Sequence, residues 1–332
     1  MEKLKHYYIK NMKSSFIKNN LDLSKNIEFF SYANNLLKKN LPVIFDECHI
    51  NQILQLEDLS YSYKYKQIMC KSKLRTLAMP NNNLRLRQKW ILENILEKIS
   101  ISDAAHGFCK TRSIKTNAEI HLNKKFMLNI DIKDFFNNIK KEQVKYIFIN
   151  IGYHAEVSEI MANLCCNNDM LPQGASTSPY ISNLIFKNID ERIISFCQKN
   201  NIIYSRYADD LTFSADYDFQ YKSNCIIDLI FQGGFIINDK KTRYSLENQK
   251  KIVTGIIVTN QLRVPRKFRR KLTQEIYYCS KFGIHEHLTN TQSAKRTNFK
   301  EYLYGKAYYI KMIEPELGKE YLNKLENIDW GY

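Results

Sequence analysis

The sequence predicts an α+β fold, in which short strands joined by hairpins lie between helical segments. Two runs rich in β-forming residues, 202–206 and 211–215, are separated by a short polar tip, which is the pattern of a hairpin. A third run, 127–130, is mostly apolar and suits a buried strand. Apolar residues recur at helical spacing before and after these runs, most clearly within 84–99, and residues 141–166 are also predicted to be helical. The chain is therefore expected to combine hairpin strands with helices.

Composition favours a folded protein with a polyanionic partner. The 332 residues suffice for one large domain or two ordinary domains, and 44% hydrophobic residues argue against wholesale disorder. The 50 Lys and Arg exceed the 34 Asp and Glu, which gives a net charge of +16. This excess suggests a polyanion as partner, and 22 Tyr with 18 Phe offer rings that can stack on bases. A basic protein without such a partner is the alternative that composition leaves open.

The cysteines and the N-terminus indicate a cytoplasmic protein. The eight Cys include no paired C-x-x-C sets, and Cys165 and Cys166 are adjacent, so we expect reduced core thiols. A zinc site from Cys279, His285 and His287 is conceivable, but its spacing matches no familiar pattern. Lysines interrupt the start of the chain, so neither a signal peptide nor a membrane span is expected there. We expect a cytoplasmic location and no membrane partner.

The first part of the chain is predicted to be a helical extension followed by a hairpin. Apolar residues recur at helical spacing within residues 1–60, and alternating runs at 61–68 and 73–80 indicate two antiparallel strands. A solvated edge strand explains most of the basic residues in these runs. Arg75 is the candidate for nucleotide binding, because a triphosphate needs a planar multi-donor clamp as much as it needs metal.

Three carboxylates in two separate segments are expected to meet. Asp131 follows the apolar run 127–130, and Asp209 and Asp210 lie at the hairpin tip. An ordinary Asp-containing turn is the alternative for the tip taken alone. Because a lone charge at the end of a buried strand is costly, Asp131 needs a partner. If the strands are neighbours, the three charges converge and would raise one another's pKa unless a cation neutralised them.

Oxygen ligands of this kind predict a magnesium site. Mg²⁺ binds through a few carboxylates and completes its shell with substrate phosphates and water. Two such ions, for which Mn²⁺ could substitute, can activate an attacking hydroxyl and stabilise a leaving pyrophosphate. The predicted chemistry is nucleotidyl transfer.

Side chains near the carboxylates are candidates for nucleotide contacts. Phe136 follows Asp131 by five residues, so its ring could lie under the sugar of an incoming nucleotide and exclude a 2′-OH. A core position is the ordinary interpretation of such a ring. The loop 171–179 is rich in small residues and precedes a helix, which suits close approach of a backbone or base pair. Within it we assign Gln173 and Gly174 to the nucleotide, with Gln173 as the hydrogen-bonding group.

Basic residues in two turns are candidates for phosphate contacts. Lys240 and Lys241 follow a predicted strand at 235–238, and either could protonate the leaving pyrophosphate. We assign Lys241 to catalysis and Lys240 to nucleotide binding, although an exposed turn lysine is the ordinary alternative. Arg112 follows a predicted bend at Gly107 and could grip template phosphates.

The last part of the chain is predicted to be a basic helical module. A helix that runs to about residue 282 begins with basic side chains that we assign to RNA binding: Arg266, Lys267, Arg269 and Arg270. Two further helices, at about 295–312 and 315–327, are rich in Tyr. A charge run is usually a solvated face, but basic Tyr-rich helices after a catalytic core are suited to holding duplex or structured RNA.

In this order, the motifs resemble those of bacterial reverse transcriptases, in particular those of retrons. The resemblance covers about residues 60–260 and rests on Arg75-Thr76-Leu77, His106-Gly107-Phe108, the Asp131 strand, Leu171-Pro172-Gln173-Gly174-Ala175, Tyr207-Ala208-Asp209-Asp210, Gly234-Phe235 with Lys240-Lys241, and Val253-Thr254-Gly255. Asn117-Ala118-Glu119-Ile120-His121 is similar to the Asn-Ala-x-x-His signature of retron enzymes, and Val253-Thr254-Gly255 to their Val-Thr-Gly signature. On this resemblance we assign Asn117 and His121 to RNA binding.

The resemblance implies a right-hand polymerase. Its parts would be a helical extension at 1–60, fingers and an antiparallel-sheet palm at 61–260, and a helical thumb at 261–332. By position in the motifs, the three carboxylates would bind Mg²⁺, Phe136 would be the sugar gate and Gln173 would sit at the nucleotide.

The resemblance also implies partners. In retron enzymes a cognate non-coding RNA is both template and primer, and synthesis from deoxynucleoside triphosphates starts at the 2′-OH of an internal guanosine. The product is a branched RNA-linked DNA. Such systems resemble phage-defence systems with an effector or toxin encoded separately or fused, and nothing in this sequence resembles a fused effector. Another bacterial reverse transcriptase, of the abortive-infection or group II intron type, and a non-catalytic RNA-binding scaffold are the alternatives.

Overall fold

The structure, a computed structural model, describes residues 23–55, 60, 62–70, 73–290 and 298–330. The predicted N-terminal extension before residue 23 therefore lies outside the described residues. Among the helices of the described segments, none combines the length and hydrophobicity that crossing a membrane requires.

Helices are interspersed with short antiparallel strands along the chain, which agrees with the predicted α+β class. The helices are α1 (Leu23–Lys38), α2 (Glu47–Ile53), α3 (Asn82–Asn94), α4 (Ile114–Glu119), α5 (Lys141–Ile151), α6 (Ala155–Cys165), α7 (Ser178–Lys199), α8 (Ser223–Gln232), α9 (Arg266–Phe282), α10 (Ile284–Asn290), α11 (Phe299–Ile313) and α12 (Pro315–Glu326). The strands are β1 (Tyr63–Cys70), β2 (Lys73–Pro80), β3 (Phe126–Asp131), β4 (Ile203–Tyr207), β5 (Asp210–Ala215), β6 (Arg243–Ser245), β7 (Lys251–Val253), β8 (Ile256–Val258) and β9 (Leu262–Arg263).

The chain forms two compact units whose segments are interleaved in sequence. The first contains the described residues up to Ser102, together with Asp134–Asp190 and Gly233–Phe235. The second contains Asp103–Lys133, Glu191–Gln232 and the described residues from Ile236 onward. Because the chain returns to each unit after leaving it, these units do not follow the boundaries predicted at residues 60 and 260. The subdivision into fingers, palm and thumb stays a prediction.

The second unit contains the sheet that carries the candidate carboxylates. Its strand order is β4-β5-β3-β6, and all neighbouring strands are antiparallel. One face is apolar: Leu211 and Phe213 are fully buried, and the Phe213 ring stacks on Tyr204 with 4.8 Å between centroids. Because side chains alternate along a strand, Asp131 and Asp210 lie on the opposite face.

Two predicted elements differ from the structure. The predicted strand at 235–238 forms one isolated bridge, between Ile237 and Ile132, because the chain turns immediately after it. The predicted helix at 141–166 is two helices, since Gly152 ends the first with φ of 123°, a conformation that a side chain would disfavour.

The C-terminal helices share one core with a small sheet of order β7-β8-β9. Fully buried members of this core include Val253, Ile256, Leu272, Leu303, Ile310 and Leu325. The pairing of α11 with α12 is close, because a Cβ on Gly318 would lie 2.2 Å from Lys311 Cα. The predicted basic module is therefore packed on the strands that precede it.

Candidate active site

Asp131 and Asp210 face each other across two paired strands. Asp131 is the last residue of β3 and Asp210 the first of β5, and the two are register partners. Asp209 precedes Asp210 in the turn, and its carbonyl oxygen accepts a hydrogen bond from the Ile132 amide at 2.9 Å. The strands are thus neighbours, which is the condition under which the sequence predicted that the carboxylates converge.

The turn that carries Asp209 is tight and closely packed. Tyr207 pairs with Asp210, so Ala208 and Asp209 alone connect β4 to β5. Ala208 has φ of 57°, in the left-handed region that residues with a side chain rarely adopt. A Cβ on Gly107 would lie 2.7 Å from the Ala208 nitrogen, so a residue with a side chain would displace the turn. Gly107 is therefore required for this close approach, beyond the bend predicted for it.

Asp131 is held by the segment that follows α8. Lys241 Nζ lies 2.5 Å from Asp131 Oδ2, and Asn238 Nδ2 donates to Asp131 Oδ1 at 3.2 Å. The Asn238 amide donates to the Asp131 carbonyl at 2.7 Å, and the Asn238 carbonyl accepts from the amides of Lys241 and Thr242. Asn238 thus closes the turn that presents Lys241, a role that the sequence did not reveal. Its one sequence signal is its position before Asp-Lys-Lys-Thr.

The two turn lysines occupy different surroundings. Lys241 is about half exposed and forms its ion pair with the buried Asp131. Lys240 is exposed. The assignment of Lys241 to catalysis and of Lys240 to nucleotide binding stays a prediction.

The carboxylates repel one another. Partial burial, which is the largest cause, and the charges of Asp209 and Asp131 together raise the pKa of Asp210 from its ordinary value of 3.8 to about 6. Lys241 opposes the rise without cancelling it. Solvent still reaches the Asp210 side chain, so the repulsion is screened. A cation placed among these oxygens would relieve it.

The chemistry of the donor set fits a hard divalent cation. Carboxylate oxygens are the ligands that Mg²⁺ prefers, and such an ion offsets the repulsion between them. Within the part of the chain that the structure describes, no three His, Cys, Asp or Glu side chains are arranged to hold a metal ion. The Lys241 ammonium is the cation that the structure places on Asp131. Binding of a metal ion through all three carboxylates would therefore require their side chains to rotate from this arrangement.

In the first unit, the residues assigned to the nucleotide lie against strand β2. The Gln173 carbonyl accepts from the Ala78 amide at 2.8 Å. Gly174 has φ of 124°, and a Cβ on it would lie 2.7 Å from the Ala78 carbonyl oxygen. Gly174 thus permits close approach of two backbones, as the small residues of this loop predicted. Arg75 pairs with Ile68 in the β1–β2 register, but its side chain lies outside the described residues.

The two adjacent phenylalanines have different environments in the first unit. Phe135 is buried and packs against Phe186 and Phe235, with ring centroids 5.9 and 5.6 Å away. Phe136 is half-buried, and its ring meets the edge of Phe135 at 5.5 Å. Phe135 is therefore a core residue, whereas the Phe136 ring is only partly buried; its assignment to the nucleotide stays a prediction.

Two residues assigned to RNA contact are buried, and a third is bonded to protein. Asn117 and His121 are fully buried, so their side chains have no exposed surface for RNA to contact in this structure; their assignment to RNA binding stays a prediction that the burial does not support. Arg112 donates to the carbonyls of Asp103 and Ala105 at 2.6 and 2.8 Å and pairs with the Asp103 carboxylate at 3.0 Å. A phosphate would have to compete with these bonds for Arg112.

The basic cluster at the start of α9 is mostly exposed. Arg266, Lys267 and Arg270 are exposed, whereas Arg269 is half-buried. Further along α9, Cys279 is buried in the core. His287 lies 2.6 Å from Glu275 Oε2, so its ring already has a carboxylate partner.

Polar residues that the sequence analysis missed form a column on the face that carries Asp131 and Asp210. Asn129 Nδ2 donates to Thr212 Oγ1 at 3.3 Å and to the Ile252 carbonyl at 3.2 Å. On the same face, His121 contacts Ser205, the register partner of Thr212 on β4, and Ser214, two residues further along β5. Polar residues at alternate positions in otherwise apolar strands are the signal that could have revealed the column.

Replacing Asp210 with Asn should stabilise the metal-free protein at neutral pH. The change removes one of three mutually repelling charges while keeping the shape of the side chain. Because the pKa of Asp210 is raised in the folded state, its protonated form favours folding. This contribution to the free energy of unfolding is complete below about pH 3.8 and is lost as the pH rises through about 6. We expect Asp210→Asn to gain about 1 kcal/mol at pH 7.5 in EDTA, after allowance for screening, and to lose that gain near pH 4.

Urea unfolding at the two pH values measures this effect. Asp239→Asn, which removes an exposed carboxylate from the nearby turn, is the matched control and should shift stability by less than about 0.5 kcal/mol at either pH. A destabilised Asp210→Asn at pH 7.5, or a gain that persists at pH 4, would contradict the repulsion described above.

Comparisons with known proteins agree with this geometry. A model of the family "Reverse transcriptase (RNA-dependent DNA polymerase)" matches residues 64–277. The chain is 34% identical to the retron Ec86 reverse transcriptase of Escherichia coli over 257 residues, which are 76% of this chain and 80% of that protein. It is 28% identical to the retron Mx162 reverse transcriptase of Myxococcus xanthus over 291 residues, which are 77% of this chain and 58% of that protein.

A solved telomerase structure shows a weaker likeness. The structure is that of the telomerase of Candida albicans in complex with a TWJ fragment of telomeric RNA. The superposition covers 90% of this chain and 67% of the telomerase chain, with 12% sequence identity. Its TM-score of 0.47 is too low to support an argument. The family match, together with the helices and antiparallel sheets, confirms the right-hand polymerase fold predicted from the sequence. The chain therefore belongs to the reverse transcriptases, which are RNA-directed DNA polymerases, and within them to the retron type.

Proposed function

We propose that this polymerase copies a cognate structured non-coding RNA into DNA, starting from the 2′-OH of an internal guanosine in that RNA. The product would be a branched molecule in which single-stranded DNA is linked to RNA. The observation that carries the catalytic part is the pairing of Asp131 with Asp210 beside Asp209, in a chain of the retron type. The priming mode extends the resemblance to retron enzymes and is open to direct test.

The three carboxylates would hold two Mg²⁺ ions, which supply activation of the attacking hydroxyl and charge stabilisation at the leaving pyrophosphate. The strand ends fix where Asp131 and Asp210 stand. The Lys241 ammonium, now on Asp131, would turn to the pyrophosphate and give it a proton. Lys240 in the same turn and Arg75 on β2 would contact the triphosphate of the incoming nucleotide.

Sequencing of the nucleic acid that co-purifies with the protein tests this proposal. We expect a single RNA species joined to complementary DNA at a guanosine 2′-OH, and resistance of that linkage to RNase treatment at the branch. Asp209→Asn should bind the same RNA but carry no DNA, because a carboxylate is lost and the RNA-binding surfaces are not. Linear DNA without a branch would contradict the priming mode, and DNA made at the wild-type level by Asp209→Asn would contradict the metal assignment.

The biological role that we propose is phage defence together with a separately encoded effector or toxin. This part of the proposal rests on the retron resemblance alone. In cells that carry the natural locus, the wild-type protein should reduce phage plaque numbers and Asp209→Asn should not. Equal plaque numbers for the two would remove the defence role while leaving the polymerase assignment intact.

Phe136 is proposed to select deoxyribose. Its half-buried ring would stand where a 2′-OH would project, so Phe136→Ala should admit ribonucleotides. We expect the ratio of kcat/KM for deoxynucleotides over ribonucleotides to fall by about tenfold or more, measured by primer extension with each substrate alone.

Phe135→Leu is the matched control for Phe136→Ala. It changes the neighbouring buried ring, so it should lower stability without altering sugar discrimination. An unchanged ratio in Phe136→Ala, or an equal fall in Phe135→Leu, would remove the gate role from Phe136.

The basic cluster of α9 is proposed to bind RNA phosphates. A triple variant in which the exposed Arg266, Lys267 and Arg270 are each replaced by Gln should bind RNA more weakly. The slope of the logarithm of the binding constant against the logarithm of the salt concentration should fall by about one per lost phosphate contact. Filter binding across a salt series measures the slope.

A charge-matched control separates contact from net charge. The triple replacement of Lys311, Lys319 and Lys324 by Gln removes three exposed charges from α11 and α12. Its slope should stay close to that of the wild type. If the slope falls equally in both triple variants, the α9 cluster does not contact RNA specifically and is only a solvated face.

A further inference from the structure

Helix α4 is short but firmly placed. Ser113 and Thr116 form a reciprocal cap at its start: the Ser113 amide donates to Thr116 Oγ1 at 2.8 Å, and the Thr116 amide donates to Ser113 Oγ at 3.2 Å. Thr254 Oγ1, in the turn between β7 and β8, donates to the Ile114 carbonyl at 3.3 Å. The two retron-like signatures, Asn117 to His121 and Val253 to Gly255, therefore meet inside the protein.

His121, just past the end of α4, bridges two strands. Its Nδ1 lies 2.6 Å from Ser214 Oγ and its Nε2 lies 2.8 Å from Ser205 Oγ, and all three side chains are fully buried. Burial, with a smaller effect from His106, lowers the pKa of His121 to about 3, so the ring is neutral. A neutral imidazole donates from one nitrogen and accepts at the other, so the two serines have opposite hydrogen-bonding roles.

The bridged strands are those of the Asp209–Asp210 hairpin. Ser205 lies on β4 two residues before Tyr207, and Ser214 lies on β5 four residues after Asp210. At about 3.3 Å per residue, the bridge stands about 7 to 13 Å from the strand ends that flank the turn. Ser205 and Ser214 occupy diagonal positions of the register, so a ring bonded to both resists sliding of one strand along the other.

Helix α4 is also linked to the turn through the segment that contains His106 and Gly107. His106 Nδ1 lies 2.9 Å from Thr116 Oγ1, and the His106 amide donates to the Arg206 carbonyl at 2.7 Å. This arrangement sets Gly107 directly against Ala208 of the turn. The hairpin is thus fixed to α4 both at its base, through His121, and near its tip, through His106 and Gly107.

We propose that His121 is a positioning residue for DNA synthesis, which acts from inside the protein by fixing the hairpin that presents Asp209 and Asp210. This inference rests on the proposed catalytic role of those two carboxylates. It assigns to the Asn-Ala-x-x-His signature a task other than RNA contact. A shift of about 1 Å in catalytic geometry lowers rate by up to about a hundredfold, so the bridge has a measurable effect even though it touches no substrate.

His121→Phe tests the inference, since it keeps a ring and removes both nitrogens. We expect kcat at saturating RNA and deoxynucleotide to fall between about tenfold and a hundredfold, with the RNA Kd within about twofold of wild type. His121→Gln, whose amide supplies one donor and one acceptor, should recover part of the loss. Glu119→Gln, on the exposed side of α4 and paired with Lys115 at 3.7 Å, should leave kcat and Kd unchanged.

A triple variant separates positioning from plain stability. His121→Phe combined with Ser205→Ala and Ser214→Ala removes both serine hydroxyls that His121→Phe alone would leave unsatisfied, so its urea midpoint should return toward that of the wild type. If the bridge positions the turn, kcat stays low, and amide hydrogen exchange across residues 205–214 is faster than in wild type. If kcat recovers together with stability, His121 acts only as a core residue and the positioning role is wrong. Should His121→Phe fail to fold, Ser205→Ala with Ser214→Ala carries the same expectation.

The remaining outcomes identify which assignment fails. An RNA Kd raised about tenfold or more with unchanged kcat would overturn the inference in favour of RNA recognition. Loss of synthesis in Asp209→Asn with full kcat in His121→Phe would overturn the positioning role alone. Full kcat in Asp209→Asn would overturn both the proposed catalytic site and this inference.

Discussion

The repulsion between Asp131 and Asp210 is the constraint on which the rest of the site depends. The antiparallel register places the two residues opposite each other at the ends of β3 and β5, and Asp209 adds a third charge beside them. Partial burial, together with these neighbouring charges, raises the pKa of Asp210. Lys241 and Asn238 offset part of the cost through direct bonds to Asp131. A fold without a metal-dependent role would gain stability by losing one of these charges.

The face of the sheet that carries the carboxylates is stiffened by hydrogen bonds between side chains. Hydrogen bonds of Asn129 with Thr212, and of His121 with Ser205 and Ser214, link neighbouring elements on this face. Buried polar groups that are fully bonded define one arrangement, because any alternative leaves some of them unpaired. The opposite face is apolar and packs by burial alone. One face of the sheet is thus held by specific hydrogen bonds, and the other is stabilised by apolar burial.

Glycines allow the backbone to come close at two points that the sequence associated with the nucleotide and with a bend. Gly174 meets the Ala78 carbonyl in the first unit, and Gly107 meets the Ala208 amide in the second. In both cases a side chain would collide with backbone, which cannot move as the end of a flexible side chain can. The same motifs therefore carry a packing requirement in addition to any contact with substrate.

The sequence by itself determined the α+β class and most helices and strands to within a few residues, and it singled out the three carboxylates as candidates for one site, because periodicity, turn residues and charge at a strand end are local properties. The tertiary structure alone decided that Lys241 reaches Asp131, 110 residues away, and that Asn117 and His121 are buried. Partners so distant in the chain, and exposure to solvent, depend on how all the elements pack. No local pattern encodes them, and for that reason a histidine predicted to contact RNA proved to be a bridge between two strands.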